Sequence, residues 1–167
     1  MPGVRYDFAQ TLRRVKMYGP AIEEYQKAIA LDPVKVEAYN NLGITYKEMG
    51  NFDKAIECFK KVLEIDETYV RAYNNLGAAL AEKGDVQQAI EVFTKATKIN
   101  PRYSNSFKNL AMAYVQMKKP REAYEALSRY HDLEPDDSRA TETLAKLRIA
   151  MSADTSGVIE TKPDSVQ

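Results

Sequence analysis

The stretch AYNNLG stands at residues 38–43 and again at residues 72–77, so its two copies begin 34 residues apart. Sliding the chain against itself by that offset brings further columns into register. Ala21, Ala55, Ala89 and Ala123 align, as do Phe8, Leu42, Leu76 and Leu110. A small column reads Ala9, Gly43, Gly77, Ala111, and large ones read Leu12, Tyr46, Leu80, Tyr114 and Tyr25, Phe59, Phe93, Leu127. The column Pro33, Glu67, Pro101, Pro135 keeps its type except at Glu67. Four units without an insertion, from about residue 2 to residue 135, make this a repeat protein before any element is assigned.

Each unit carries two helical patterns. In the second, Tyr39, Leu42, Gly43 and Tyr46 fall at i, i+3, i+4 and i+7, one face of an α-helix. Gly50 and Asn51 break it, as a left-handed C-cap does. Asp53 then lies in the first turn of a second helix, where negative charge suits the dipole, and Ala55, Phe59 and Val62 share its face. A proline ends the second helix in three of the units, since proline cannot continue a helix. The small column is expected where the two helices cross closely, with Gly43 and Gly77 facing Ala55 and Ala89. One helix pair cannot bury its own apolar face, so pairs must stack.

Lys plus Arg and Asp plus Glu both number 24 in 167 residues, so the formal charge is zero. That balance argues against nucleic acid, which draws a basic excess. Cys58 is the single cysteine and His131 the single histidine, so neither a disulfide nor a metal-ligand cluster is expected, and no cofactor. No apolar run reaches the roughly 18 residues of a membrane span. These features point to a soluble chain in a reducing, cytoplasmic setting, without direct membrane insertion.

The columns and turns resemble the tetratricopeptide repeat (TPR) family over residues 2–135. The resemblance implies an all-α, right-handed α-solenoid of helix-turn-helix pairs. Its repeats would span about 2–35, 36–69, 70–103 and 104–137 within a domain of residues 1–151. A cap helix is expected over 138–151, with Leu144, Ala145 and Arg148 in first-helix columns, and a disordered tail over 152–167. The first repeat fits least well, with Arg5 in an aromatic column. Fraying of a terminal repeat and a start inside a longer array both account for that.

In such a superhelix the first helix of each pair lines the concave groove. The groove columns before the Leu/Gly pair read Tyr6-Asp7, Asn40-Asn41, Asn74-Asn75 and Lys108-Asn109. A carboxamide offers a donor and an acceptor, as a peptide unit does. The ladder Asn41, Asn75, Asn109 therefore suits the main chain of an extended protein or peptide partner, at the expense of helix propensity. The same amides could instead bond neighbouring helices. Similar ladders occur in the TPR array of O-linked N-acetylglucosamine transferases. One turn onward, Gln10, Ile44, Arg71 and Met112 extend the candidate groove, which runs from basic to apolar. The carboxylate clamp of TPR co-chaperones is not expected, because its columns hold Tyr6, Gln10, Asn41, Arg71 and Asn75, of which only Asn41 matches outright.

Enzymatic chemistry finds no support in the letters. His131 has no acid and nucleophile at helical spacing, and neither phosphate-binding glycine motif is present. Cys58 reads as a half-buried packing residue with Lys60 and Lys61 nearby. The function expected is a non-enzymatic scaffold or adaptor. An accessory array of a larger enzyme or signalling protein, and a scaffold that assembles as a homo-oligomer, stay open as alternatives.

Overall fold

A computed structural model describes residues 2–156. Among them are nine helices and no strand. The described chain is all-α and forms two compact units that divide after Tyr103.

The first unit holds α1 (Pro2–Arg14), α2 (Tyr18–Leu31), α3 (Val36–Glu48), α4 (Phe52–Ile65), α5 (Val70–Lys83) and α6 (Val86–Ile99). Its helices pack as the pairs α1–α2, α3–α4 and α5–α6, and α3 and α5 stack on the second helix of the preceding pair. The second unit holds α7 (Ser104–Gln116), α8 (Pro120–Leu133) and α9 (Ser138–Ser156), with α8 packed on both others. The helix α9 runs five residues past the expected cap into the segment read as tail. The expectation for the rest of that tail lies outside the described residues.

Two turn geometries recur in every repeat. At the corner between the paired helices, Lys16, Gly50, Gly84 and Lys118 all have positive φ, at 61°, 77°, 105° and 56°. The next residue's N–H closes back on the carbonyl five residues earlier: Met17 on Leu12, Asn51 on Tyr46, Asp85 on Leu80, Lys119 on Tyr114, each at 2.9 Å. This is the Schellman closure, which needs a left-handed residue. Glycine supplies it without a Cβ penalty at two corners, and lysine is forced into it at the others.

The exit turn also recurs in all four repeats. Asp32, Asp66, Asn100 and Glu134 each donate N–H to the carbonyl four residues earlier. The Asp66 carboxylate accepts from the Thr68 N–H at 2.9 Å and the Thr68 hydroxyl at 2.7 Å, and Asn100 Oδ1 accepts from the Arg102 N–H at 3.0 Å, so this side-chain turn forms both at Glu67 and beside Pro101.

The core follows the columns, with two corrections. First, the glycines do not face the alanine column. A methyl placed on Gly43 would lie 2.6 Å from Cε1 of Phe59, and one on Gly77 would lie 2.5 Å from Cε1 of Phe93. The missing side chain makes room for an aromatic ring one helical turn beyond Ala55 and Ala89. Second, Phe8 is not core. Leu42, Leu76 and Leu110 of its column are buried, whereas Phe8 is 54% exposed beside Val4 at 65%. That face is covered by the preceding repeat in α3 and α5, and α1 has no preceding helix among the described residues. At the other end Ala140 and Leu147 of α9 are buried on α8, while Ala145 and Arg148 are exposed. Ile149 of the same helix is exposed as well, and Leu144 is half-buried.

Candidate functional site

The groove residues arise from one feature of the helix pattern. Residues one repeat plus one position apart stand side by side on successive first-type helices. Asn41 of α3 donates its Nδ2–H to the Tyr6 hydroxyl of α1 at 2.8 Å. Asn75 of α5 donates its Nδ2–H to Asn40 Oδ1 of α3 at 2.9 Å. The same 35-residue step sets two ion pairs: Arg13 with Glu48 at 2.8 Å, and Lys47 with Glu82 at 2.9 Å. A row of polar links therefore runs from α1 through α3 to α5. It also pairs the charge of Arg13 at the α1 end of the row.

Within each rung the two asparagines differ. Asn40 and Asn74 are buried, and Asn74 donates Nδ2–H to the Val70 carbonyl at 3.0 Å, four residues back. Asn41 and Asn75 are half-buried. Their amide N–H groups are engaged by the preceding rung, and among the described residues nothing donates to Asn41 Oδ1 or Asn75 Oδ1. Each rung thus offers an acceptor. Gln10 on α1 and Ile44 on α3 are half-buried, and Arg71 in the first turn of α5 is exposed. Lys35 lies over the Tyr6 ring, 4.9 Å from its centroid, at the α1 end of this row.

In the second unit α7 carries Lys108, Asn109 and Met112. Lys108 and Asn109 are half-buried, and Met112 is 63% exposed. Lys108 Nζ stands 3.4 Å from the Tyr130 hydroxyl and 3.5 Å from Asp137 Oδ2. The Tyr130 hydroxyl donates to Asp137 Oδ2 at 2.7 Å, which holds the Asp137 carboxyl below its ordinary pKa. Asp137 Oδ1 accepts from the Arg139 N–H at 3.0 Å and so caps α9. Ala111, Met112, Val115, Leu127, Ala140 and Leu147 wall a cleft of about 370 Å³ beside this network. Sequence reasoning placed Met112 in a groove but missed Tyr130 and Asp137. Their columns carry Ala28, Val62, Ala96 and Lys35, Tyr69, Tyr103 in the other repeats, so the pairing has no periodic signal.

Residues that could have suggested chemistry stay apart. His131 is half-buried near the end of α8. Burial pushes the Cys58 thiol up to about 12, so it is not a ready nucleophile. Among the described residues no cluster of His, Cys, Asp and Glu could hold a metal, and no helix is long and apolar enough to cross a membrane.

Models of the tetratricopeptide repeat match residues 18–50, 36–69, 58–91 and 80–147. Among solved structures, a crystal structure of MamA is 28% identical, over 86% of this chain and 84% of that one, with a TM-score of 0.78. Another MamA crystal structure is 27% identical, over 94% and 86%, with a TM-score of 0.81. The first TPR of Spaghetti (RPAP3), solved bound to the HSP90 peptide SRMEEVD, is 24% identical, over 71% and 96%, with a TM-score of 0.67. At that identity the likeness is one of fold. No curated protein matches the sequence.

Proposed function

Because this chain belongs to the tetratricopeptide repeat family, we propose that it is a non-enzymatic protein-interaction scaffold whose first-type helices hold an extended segment of a partner. The observation that carries this reading is the polarity of the rungs. Asn41 and Asn75 each commit an N–H to the rung before and keep a carbonyl oxygen without a donor. A row of acceptors on neighbouring helices suits the N–H groups of an extended backbone, so recognition falls on the partner's main chain more than on its side chains. The inter-rung bonds also fix the amides in place, which lowers the entropy lost on binding. In the first unit Gln10, Ile44 and Arg71 complete the proposed contact set, Asn109 repeats the amide in the second unit, and side chains around the ladder set specificity.

The fold of the RPAP3 repeat holds a bound peptide in that protein. The present chain would grip its partner differently, since a carboxylate clamp needs lysine, asparagine and arginine where it has Tyr6, Gln10 and Asn75. A family of interaction modules, with no convergent acid, base and nucleophile among the described residues, supports a non-enzymatic role.

The test is capture from native lysate by wild type beside an Asn41→Ala, Asn75→Ala, Asn109→Ala variant. Each lost part-buried hydrogen bond should cost about 1 kcal/mol, so circular dichroism must first show the variant folded. A protein captured by the wild type and lost by the folded variant supports the ladder as the binding site. Equal capture by both would sink the reading and leave the amides as links between repeats.

A further inference from the structure

The cleft between α7 and α9 stands apart from the amide ladder. Its floor is apolar, from Ala111, Met112, Val115, Leu127 and Leu147, and Met112 and Val115 are 63% and 49% exposed at its mouth. At about 370 Å³ it is at the low end of ligand pockets, room for a few side chains rather than a large ligand. Its rim carries one unpaired cation: Lys108 is offset by Asp137, whereas the Arg139 guanidinium has no anionic partner among the described residues. The rung pattern stops here. The position 35 residues after Lys108 is Thr143, whose hydroxyl donates to the Arg139 carbonyl instead of reaching across to α7.

We propose that this cleft is the seat for residues 158–160 of a second copy of the chain. The segment reads Val158-Ile159-Glu160, two β-branched apolar side chains followed by a carboxylate. Two such side chains match the size and apolarity of the floor, and Glu160 matches Arg139 on the rim. Reach decides that the occupant comes from another molecule. The helix α9 ends at Ser156, while the cleft is walled by Ala140, Thr143 and Leu147. At 1.5 Å per residue, Thr143 lies about 20 Å back along the helix axis and Leu147 about 14 Å back. Three extended residues carry Ile159 only about 10 Å from the helix end, before any allowance for turning round. The dipeptide therefore falls short of its own cleft and fills that of a neighbour. A tail-to-cleft contact is heterologous, so it closes by reciprocal exchange into a dimer or continues as a chain. This association does not depend on the amide ladder, and the two stand or fall separately.

Sedimentation velocity of the full chain over a wide concentration range is the test. The wild type should associate with rising concentration, and Met112→Glu and Ile159→Asp should each weaken association at least about tenfold. The decisive sample is an equal mixture of the two variants. One supplies an intact tail and the other an intact cleft, so the mixture should form a one-to-one heterodimer that neither variant forms alone. A fluorescent peptide of residues 157–164 should also bind the Ile159→Asp chain, and a scrambled peptide of equal composition should not. Any one of these results would overturn the proposal: a wild type that stays monomeric throughout, association that survives Ile159→Asp, a mixture that does not complement, or a scrambled peptide that binds as well.

Discussion

Gly77→Ala pits two well-known effects against each other. Alanine is the better helix former by about 1 kcal/mol, so on propensity alone the change should stabilise α5. Yet the new methyl would lie 2.5 Å from Cε1 of Phe93 and 2.8 Å from its Cδ1 and Cζ. Carbon atoms prefer about 3.5–4.0 Å, so roughly 1 Å must be found. Phe93 is 3% exposed, which leaves its ring little room to swing, and overpacking of this kind costs about 1–3 kcal/mol. Net destabilisation of up to about 2 kcal/mol follows, a fall in Tm of a few degrees for a chain of this size. Urea unfolding followed by circular dichroism measures it. The Gly77→Ala cost should shrink in a Phe93→Leu background, the combination the fourth repeat carries as Ala111 and Leu127. The first repeat combines Ala9 with Tyr25, so a Cβ and a ring can coexist where the helices sit differently. If Gly77→Ala is stabilising, α5 and α6 adjust freely and the close-approach argument is refuted.

Lys118→Gly should stabilise by about 0.5–1 kcal/mol, since a left-handed lysine is strained and glycine gives back only part of that in unfolded-chain entropy; unchanged denaturant midpoints would count against the corner geometry. Native Cys58 should resist a thiol reagent at pH 8, because a pKa of about 12 leaves only about one molecule in ten thousand as thiolate; rapid labelling without denaturant would contradict its burial. Asp137→Ala should loosen α9 through loss of its cap, seen as faster amide exchange in the first turn of α9. Because the folded Asp137 carboxyl is held below its ordinary value of 3.8, its contribution is complete above that pH and fades as pH falls through the lowered value. The wild type should therefore lose its advantage over Asp137→Ala in acid, and a pH-independent difference would assign the effect to packing.

The sequence made the period and the paired helices legible, because each depends on residues that recur at 34. What escaped it depends on relations between columns. Gly43 and Phe59 both stand out as columns, but only the crossing of α3 and α4 shows that one makes room for the other. Phe8 has the size of its column, and its exposure comes from what does not cover α1. The left-handed corners at Lys16 and Lys118 carry no glycine to announce them. At the candidate site, Asn41 and Asn75 could be found from the repeat alone. Their bonds to Tyr6 and Asn40 could not, since successive helices are offset by one residue and the partner sits 35 positions away. Opposite charges at that spacing, Arg13 with Glu48 and Lys47 with Glu82, were in the letters all along.

That offset makes the array editable in whole units. Suppose residues 36–69 were excised, joining Lys35 to Val70. The new junction repeats the old one, since Val70 takes the place of Val36 and Ala72 that of Ala38. Asn75 would arrive beside the Tyr6 hydroxyl, where Asn41 now stands, and Glu82 beside Arg13 in place of Glu48. Both polar links across the seam find a like-for-like replacement, while Leu80 takes the place of Tyr46 on the first repeat's core. A gene encoding such a chain can gain or lose a unit by recombination between its own copies, shortening or lengthening the polar row while keeping its links.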